Sequence, residues 1–281
     1  MSTELVDQAW YERFYGDSRD SDLAVPPAII RRYEQARHRM LFPLEALHHC
    51  VGDVRDKTCL YLGCGAETST VLFALKGAKV WALDLAVEAL RRQKLMAVAN
   101  GTDARTHAVV SSCDALPFRD ESFDVVIGIG ILHHLQHDLD TPCAEVARVL
   151  RRDGRAVFSE PITRSRVLQR VRGWLPISRP RDASPQCRPL AAAALDHFGR
   201  HFLVNVHAFG FLSRLSRFVL PGQPLEFAPG WKRGVVYLIH ALDSVLLRLP
   251  GLARLGGVVI LNFEHADAPP RRDEELLCDR G

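Results

Sequence analysis

Gly63-Cys64-Gly65 follows the apolar run Cys59-Leu60-Tyr61-Leu62 and precedes a helical pattern that opens near Thr68. A glycine turn between a strand and a helix lets backbone N–H groups approach a ligand closely at the helix N-terminus. Asp84 closes the next apolar run, 84 − 63 = 21 residues after Gly63. An acid at the end of that strand, at about that distance, accepts hydrogen bonds from both ribose hydroxyls. Turn, helix, strand and acid in this order point to a nucleoside-bearing cofactor, while a helix cap remains the plainer use of Asp84. His133-His134 follows the apolar run 123–129. The carboxyl end of a strand is where open α/β sheets place ligands, and imidazole titrates near working pH. The pair offers a base or a substrate contact; a capping or core role is the alternative.

These groups need a scaffold of alternating strands and helices. Residues 1–50 read as helical, with Trp10, Tyr11, Phe14 and Tyr15 near the start and a second helix running from Pro26-Pro27 toward Cys50. From residue 57 strands at 59–62, 79–83, 106–111, 123–129 and 155–159 alternate with helices at 68–76, 86–100 and 142–151. That alternation calls for an open parallel sheet covered by helices on both sides. Four prolines at 176, 180, 185 and 189 mark a loop or lid insertion. A strand at 202–209, a helix at 235–249 and a strand at 258–263 finish the sheet, the two strands as an antiparallel hairpin edge. Residues 266–281 are polar and aperiodic, and a disordered tail is expected there.

Three segments go further: Asp114-Ala115-Leu116-Pro117-Phe118, Ser122-Phe123-Asp124-Val125-Val126 and Ile131-Leu132-His133-His134-Leu135. Together with Glu145–Arg155 they resemble the class I S-adenosylmethionine (SAM)-dependent methyltransferases, closest to the small-molecule branch typified by ubiquinone and menaquinone biosynthesis enzymes. The resemblance covers about residues 57–160. It implies a Rossmann-like, mostly parallel seven-stranded sheet with one antiparallel strand, an N-terminal helical cap over 1–50, a methyltransferase domain over 51–265 and a C-terminal lid over 161–200.

The resemblance implies roles for individual positions. Gly63, Cys64 and Gly65 approach the methionine part of SAM, and Asp84 takes the ribose hydroxyls with Leu85 packed on the adenine face. Asp114 accepts from the adenine amine beside Ala115. The main chain at Ile129 and Gly130 lines the cofactor, and His133 or His134 faces the methyl as general base. Two positions depart from the family pattern: Tyr61 stands where an acid is usual, and Glu67 replaces the third glycine of the turn. The Glu67 carboxylate is placed to pair with the α-amino group of SAM. Tyr11 and Tyr15 are candidates for the wall of the acceptor pocket; an aromatic stripe at helical spacing also serves a core.

Composition sets the outer bounds. With 281 residues, 47% apolar and 25% charged, the chain is an ordinary globular one, neither fibrous nor disordered. Its net charge of +3 does not argue for nucleic acid as a partner; a small-molecule acceptor fits better. The seven cysteines are odd in number and form no CxxC, so neither a disulfide framework nor a metal site is expected. A reducing, cytoplasmic compartment fits, and the acidic N-terminus lacks a signal-peptide pattern. Arginines 164, 166, 170, 172, 179 and 181 alternate with apolar residues without an intervening acid. This basic amphipathic pattern over 164–175 suggests a solvated face or peripheral contact with an anionic membrane. Two other functional classes stay open. One is a non-catalytic scaffold or sensor that kept the fold. The other is an NAD(P)-dependent oxidoreductase, although a GxGxxG pattern fails at Thr68.

Overall fold

The computed structural model describes residues 3–17, 23–35, 41–164, 184 and 187–265. The tail expected at 266–281 and nearly all of the basic segment 164–175 lie outside these residues. Eight strands form one sheet: β1 (Thr58–Leu62), β2 (Lys79–Asp84), β3 (Thr106–Val110), β4 (Phe123–Ile129), β5 (Leu150–Thr163), β6 (Leu190–Ala191), β7 (Phe202–Phe209) and β8 (Val258–His265). Seven follow the order β3-β2-β1-β4-β5-β8-β7, and the two-residue β6 pairs with β5. β1 is parallel to both β2 and β4, β4 is parallel to β5, and β8 runs antiparallel to both of its neighbours. This is the mostly parallel, class I methyltransferase-type sheet that the resemblance implied.

The central strands β1, β4, β5 and β8 are largely buried on both faces, and their side chains alternate between two cores. Leu60, Leu62, Val126, Ala156 and Phe158 point to one face. Cys59, Tyr61, Val125, Ile127 and Val157 point to the other. A period of two is the geometry of a strand, and an apolar residue at every position is what a doubly covered strand requires. Helix α3 (Pro43–Val51) and helix α4 (Thr68–Leu75) cover the second face through Leu47, Val51 and Phe73. Helix α6 (Asp140–Val149) and the short α7 (Leu195–Phe198) cover the first through Cys143, Val146 and Phe198. Each fully buried Leu or Phe contributes about 1.5–3 kcal/mol relative to exposure.

The remaining α-helices among the described residues are α1 (Thr3–Gly16), α2 (Pro27–Gln35), α5 (Val87–Ala99), α8 (Ser216–Val219) and α9 (Gly230–Leu247). Three expectations need correction. The helix read from Pro26 toward Cys50 is two helices, because Pro43 starts a new one at its first turn. β5 begins at Leu150 rather than Arg155, and the Asp153-Gly154 turn is absorbed as a register shift against β4. β5 also runs on through Thr163, past the expected end at 159. β7 and β8 pair antiparallel and finish the sheet as the expected edge, with β7 outermost and β8 between β5 and β7. The β8 residues Val259, Ile260, Leu261 and Phe263 are buried, too apolar for an outermost strand.

Since β1 has β2 on one side and β4 on the other, the chain leaves β1 in opposite directions. The crevice opens at the carboxyl ends of these strands.

Candidate active site

The glycine turn stands at this crevice. Gly63 and Gly65 have φ of +55° and +48°, a region that side chains with a Cβ enter at a cost. A Cβ on Gly63 would also stand 2.5 Å from Ile131 Cδ1. The backbone N–H of Cys64 donates to the Leu83 carbonyl at 3.0 Å, tying the turn to β2. The Asp84 carboxylate accepts from the Gly65 N–H at 2.8 Å and from the Ala86 N–H at 2.9 Å. One acid thus shapes the turn and caps α5. Burial raises its pKa above the ordinary carboxylate value, against the backbone donors that lower it. Gly63→Ala should cost at least about 1–2 kcal/mol through its φ alone. Urea unfolding would show this as an earlier midpoint, with Gly101→Ala, whose Cβ would meet nothing within 4 Å, as the φ-only comparison.

Glu67 precedes α4 with φ −77° and ψ 134°. That is ordinary extended backbone, so the glutamate carries no strain where the family pattern has glycine. Its carbonyl accepts from Gln93 Nε2 at 2.9 Å, and the residue lines the cavity described below. Tyr61 is buried in the core beneath α3 and α4, away from the cavity.

Helix α1 is fastened across the crevice by its polar residues. Gln8 Nε2 donates to the Leu85 carbonyl at 3.1 Å. Glu12 accepts from the first N–H groups of α5, Val87 at 2.7 Å and Glu88 at 3.0 Å. These donors have no partner inside their own helix, so an acidic side chain from another element stabilises the end. The two tyrosines part company. Tyr15 sits over the glycine turn, where a Cβ on Gly65 would be 2.5 Å from its hydroxyl. Tyr11 reaches the other end, 3.3 Å from His134 Nε2.

There the two histidines join residues from distant segments. His133 Nδ1 lies 2.8 Å from Glu160, which is fully buried, and His133 Nε2 lies 2.9 Å from Cys187 Sγ. Glu160 also accepts from the backbone N–H groups of Ile131 and Leu132, each at 2.8 Å. His134 Nδ1 lies 2.8 Å from Asp7, whose other oxygen accepts from Ser184 Oγ at 2.8 Å. Burial alone would lower the pKa of His133; its hydrogen bonds to Cys187 and Glu160 outweigh this and raise it. Hydrogen bonds from His133 and then His134 lower that of the Cys187 thiol. A proton on His133 and a charge on Cys187 therefore stabilise one another.

A cavity of about 1650 Å³ joins the two ends. Gly63, Gly65, Glu67, Asp84, Leu85, Ile129 and Gly130 line it toward the turn; Tyr11, His133, His134 and Cys187 line it at the cluster. Of the positions singled out from the sequence, Cys64, Asp114 and Ala115 are not among its lining residues. Cys64 is buried under the turn, and Ser111 and Cys113 represent the loop after β3 on the wall instead. Arg164, Arg188, Arg214 and Arg217 also line the cavity. Burial lowers the pKa of Arg164 and Arg214, the second further through Arg217.

Sequence reasoning missed Asp7, Glu160, Cys187 and the arginine wall. Asp7 is one acid in an acidic N-terminus, Glu160 closes an apolar strand, and Cys187 lies in a proline-rich loop. Glu160 alone had a local signal, a charged residue inside a buried strand, which is rare without a partner.

Residues 60–158 match a family model described as a methyltransferase domain. Over 122 residues the chain is 36% identical to a demethylmenaquinone methyltransferase of Thermobifida fusca (strain YX), covering 41% of this chain and 48% of that protein. The chain spans about half the length, or less, of the curated relatives it matches. Among solved structures, the geranyl diphosphate C-methyltransferase of Streptomyces coelicolor A3(2) superposes with a TM-score of 0.56 at 14% identity, over 92% of this chain and 98% of that one. The cyclase SpnF superposes with a TM-score of 0.55 at 16% identity, over 94% and 97%. Over residues 60–158 the chain is therefore similar to a methyltransferase domain, and it shares the fold of the solved methyltransferase that superposes on it.

Proposed function

We propose that the protein transfers the methyl group of SAM to a small, anionic acceptor. The observation that carries the cofactor half is the contact between Asp84 and the Gly65 N–H, at the carboxyl edge of the sheet. Each carboxylate oxygen accepts more than one hydrogen bond, so Asp84 keeps capacity for ribose hydroxyls while it holds the turn. Glu67 offers a negative charge to the α-amino group, and Leu85 an apolar face to the adenine. Asp114, beside Ser111 and Cys113, remains the candidate partner of the adenine amine.

Methyl transfer from a sulfonium is an in-line displacement with a strong electrophile. The protein's main tasks are alignment and exclusion of water. α1 contributes to both, since Gln8 and Glu12 hold it across the cofactor end while Asp7 and Tyr11 hold it at the histidines. Where the acceptor carries a proton, it is lost at the cluster of His133, His134 and Cys187. His133 has both ring nitrogens engaged, so it positions Cys187 rather than presenting a free base.

The arginine wall supports an acceptor bearing a carboxylate or phosphate. Guanidinium forks match both groups, and among the described residues no carboxylate pairs with Arg164 or Arg214. Arg214→Gln should raise the acceptor KM about 10–100-fold with little change in kcat, as expected for one charge-assisted hydrogen bond of about 1.5–3 kcal/mol. A turnover screen of carboxylated and phosphorylated small molecules supplies the acceptor for that measurement.

Calorimetric titration with SAM and with S-adenosylhomocysteine tests the reading directly. Micromolar binding of either, with NAD inert, is the expected result. A folded protein that binds neither overturns it in favour of a non-catalytic relative.

A further inference from the structure

We propose that His133, His134 and Cys187 bind a zinc ion and leave its fourth coordination position open to the cavity. One ligand atom from each of the three residues lies within 4.8 Å of the others. Two nitrogens and one sulfur are a donor set that suits zinc, and three protein ligands with one open position are the arrangement of catalytic rather than structural zinc. All three residues line the cavity, so the fourth ligand comes from there.

The surroundings of the histidines carry the inference further than the three residues do. Metal-bound histidine almost always gives its other ring N–H to a carboxylate or carbonyl, which fixes the tautomer and aims the ligating nitrogen. Here both histidines are held that way, His133 Nδ1 by Glu160 and His134 Nδ1 by Asp7. Each carboxylate is itself fixed, Glu160 by backbone N–H groups of Ile131 and Leu132, Asp7 by Ser184. His133 Nε2 is thereby aimed at Cys187 Sγ, 2.9 Å away. Around a tetrahedral zinc ion with ordinary bond lengths, nitrogen and sulfur ligands stand about 3.6 Å apart. Binding would open this pair by about 0.7 Å, which the half-buried Cys187 on its loop allows. The ion would replace the proton now shared by histidine and thiol.

This inference deepens the proposed function. A hydroxyl or thiol of the acceptor bound at the open position loses its proton to solvent near neutral pH, and the resulting anion is the nucleophile that methyl transfer needs. The cluster lines the same cavity as the arginines and the glycine turn, which fits that use.

Metal content and cobalt substitution of the full chain test it. The expected result is one zinc per chain after passage over a desalting column. Replacement by cobalt should give tetrahedral d–d bands and a thiolate-to-cobalt charge-transfer band. Cys187→Ser should lose the charge-transfer band. Asp7→Asn, which leaves all three ligands in place, should weaken zinc about 10–100-fold. Zinc well below one per chain, or a charge-transfer band that survives Cys187→Ser in a variant with unchanged circular dichroism, overturns the site. The same preparations titrated with SAM keep the two readings apart: zinc bound without SAM defeats the methyltransferase reading alone, and SAM bound without zinc defeats this one alone.

The outer face of α9 is apolar along its whole length. Trp231, Val235, Leu238, Leu242, Val245 and the following Leu249 recur at helical spacing and are exposed, Trp231 by 68% and Leu238 by 60%. The opposite face is buried through Val236, His240, Asp243 and Leu247, so the apolar stripe lies on the side that the fold leaves uncovered. A helix of that kind in a water-soluble fold has a covered outer face. We infer that an anionic lipid surface covers it. The charges beside the stripe are all cationic, Lys232, Arg233 and Arg248, while the one acid of the helix, Asp243, is buried on the backbone N–H groups of Gly210 and Leu212. No helix among the described residues is long and apolar enough to cross a membrane, so α9 lies in the interface plane. Phosphatidylglycerol vesicles should sediment the full chain, and phosphatidylcholine vesicles much less. The triple substitution Leu238→Glu, Leu242→Glu, Val245→Glu should abolish sedimentation. Absence of vesicle binding by the parent chain overturns this, as does a parent dimer that the same triple substitution makes monomeric.

Discussion

Asp84→Ala is expected to weaken SAM binding by about 100-fold or more. Two charge-assisted hydrogen bonds to ribose hydroxyls, at about 1.5 kcal/mol each, already correspond to that factor. The substitution also releases the Gly65 N–H and uncaps Ala86, so the turn loses the anchor that presents its backbone to the ligand. Asp84→Asn keeps the shape and removes the charge, and should fall between the two. The pH dependence has a definite sign. The carboxylate binds as the anion, so affinity is present above its pKa and fades as pH falls through it. Because burial raises that pKa, the loss begins at a higher pH than for an ordinary aspartate. Calorimetry across that range checks both claims; undiminished affinity in Asp84→Ala would remove the cofactor site from this turn.

Glu160→Ala should destabilise the fold by about 3–5 kcal/mol, a large share of the roughly 5–15 kcal/mol that holds a domain together. Glu160 is fully buried and accepts from two backbone N–H groups and from His133. Removing it leaves those donors buried without a partner, which costs far more than the intact network gains over water. Glu160→Gln retains an acceptor oxygen for the backbone and loses the charge opposite His133, so its penalty should be smaller. Urea unfolding measures both, and a midpoint unmoved by Glu160→Ala would show that the loop after β4 is held by other means. The loop carries both histidines, so the same substitution should also abolish methyl transfer in whatever fraction stays folded.

The elements that local pattern specifies were legible. β1, β2 and β4 are short apolar runs bounded by turns, and the helices between them follow from spacing and from glycine stops. The glycine turn and Asp84 were legible for the same reason, since strand, turn, helix and strand fix their separation in the chain. Where neighbours decide, the pattern misled. The ends of β5 depend on pairing with β8 and β4. Pro43 is a helix start only because the chain turns there, although the proline itself was visible.

Residue types and their order along the chain therefore determined the alternation of strands and helices, the burial of both sheet faces and the placing of a nucleoside-type turn at one edge. Tertiary structure alone decided what surrounds that edge. Tyr11 and Tyr15 lie one helical turn apart, yet α1 crosses the crevice so that one meets His134 and the other the glycine turn. Asp7, His134, Glu160 and Cys187 come from a helix, a loop after one strand, the end of another and a proline-rich segment. No local spacing joins them. Only the packing of α1 and of the residues after β5 against one end of the sheet brings two carboxylates, two imidazoles and a thiol within hydrogen-bond reach, because side chains far apart in sequence become neighbours only after the backbone between them has folded.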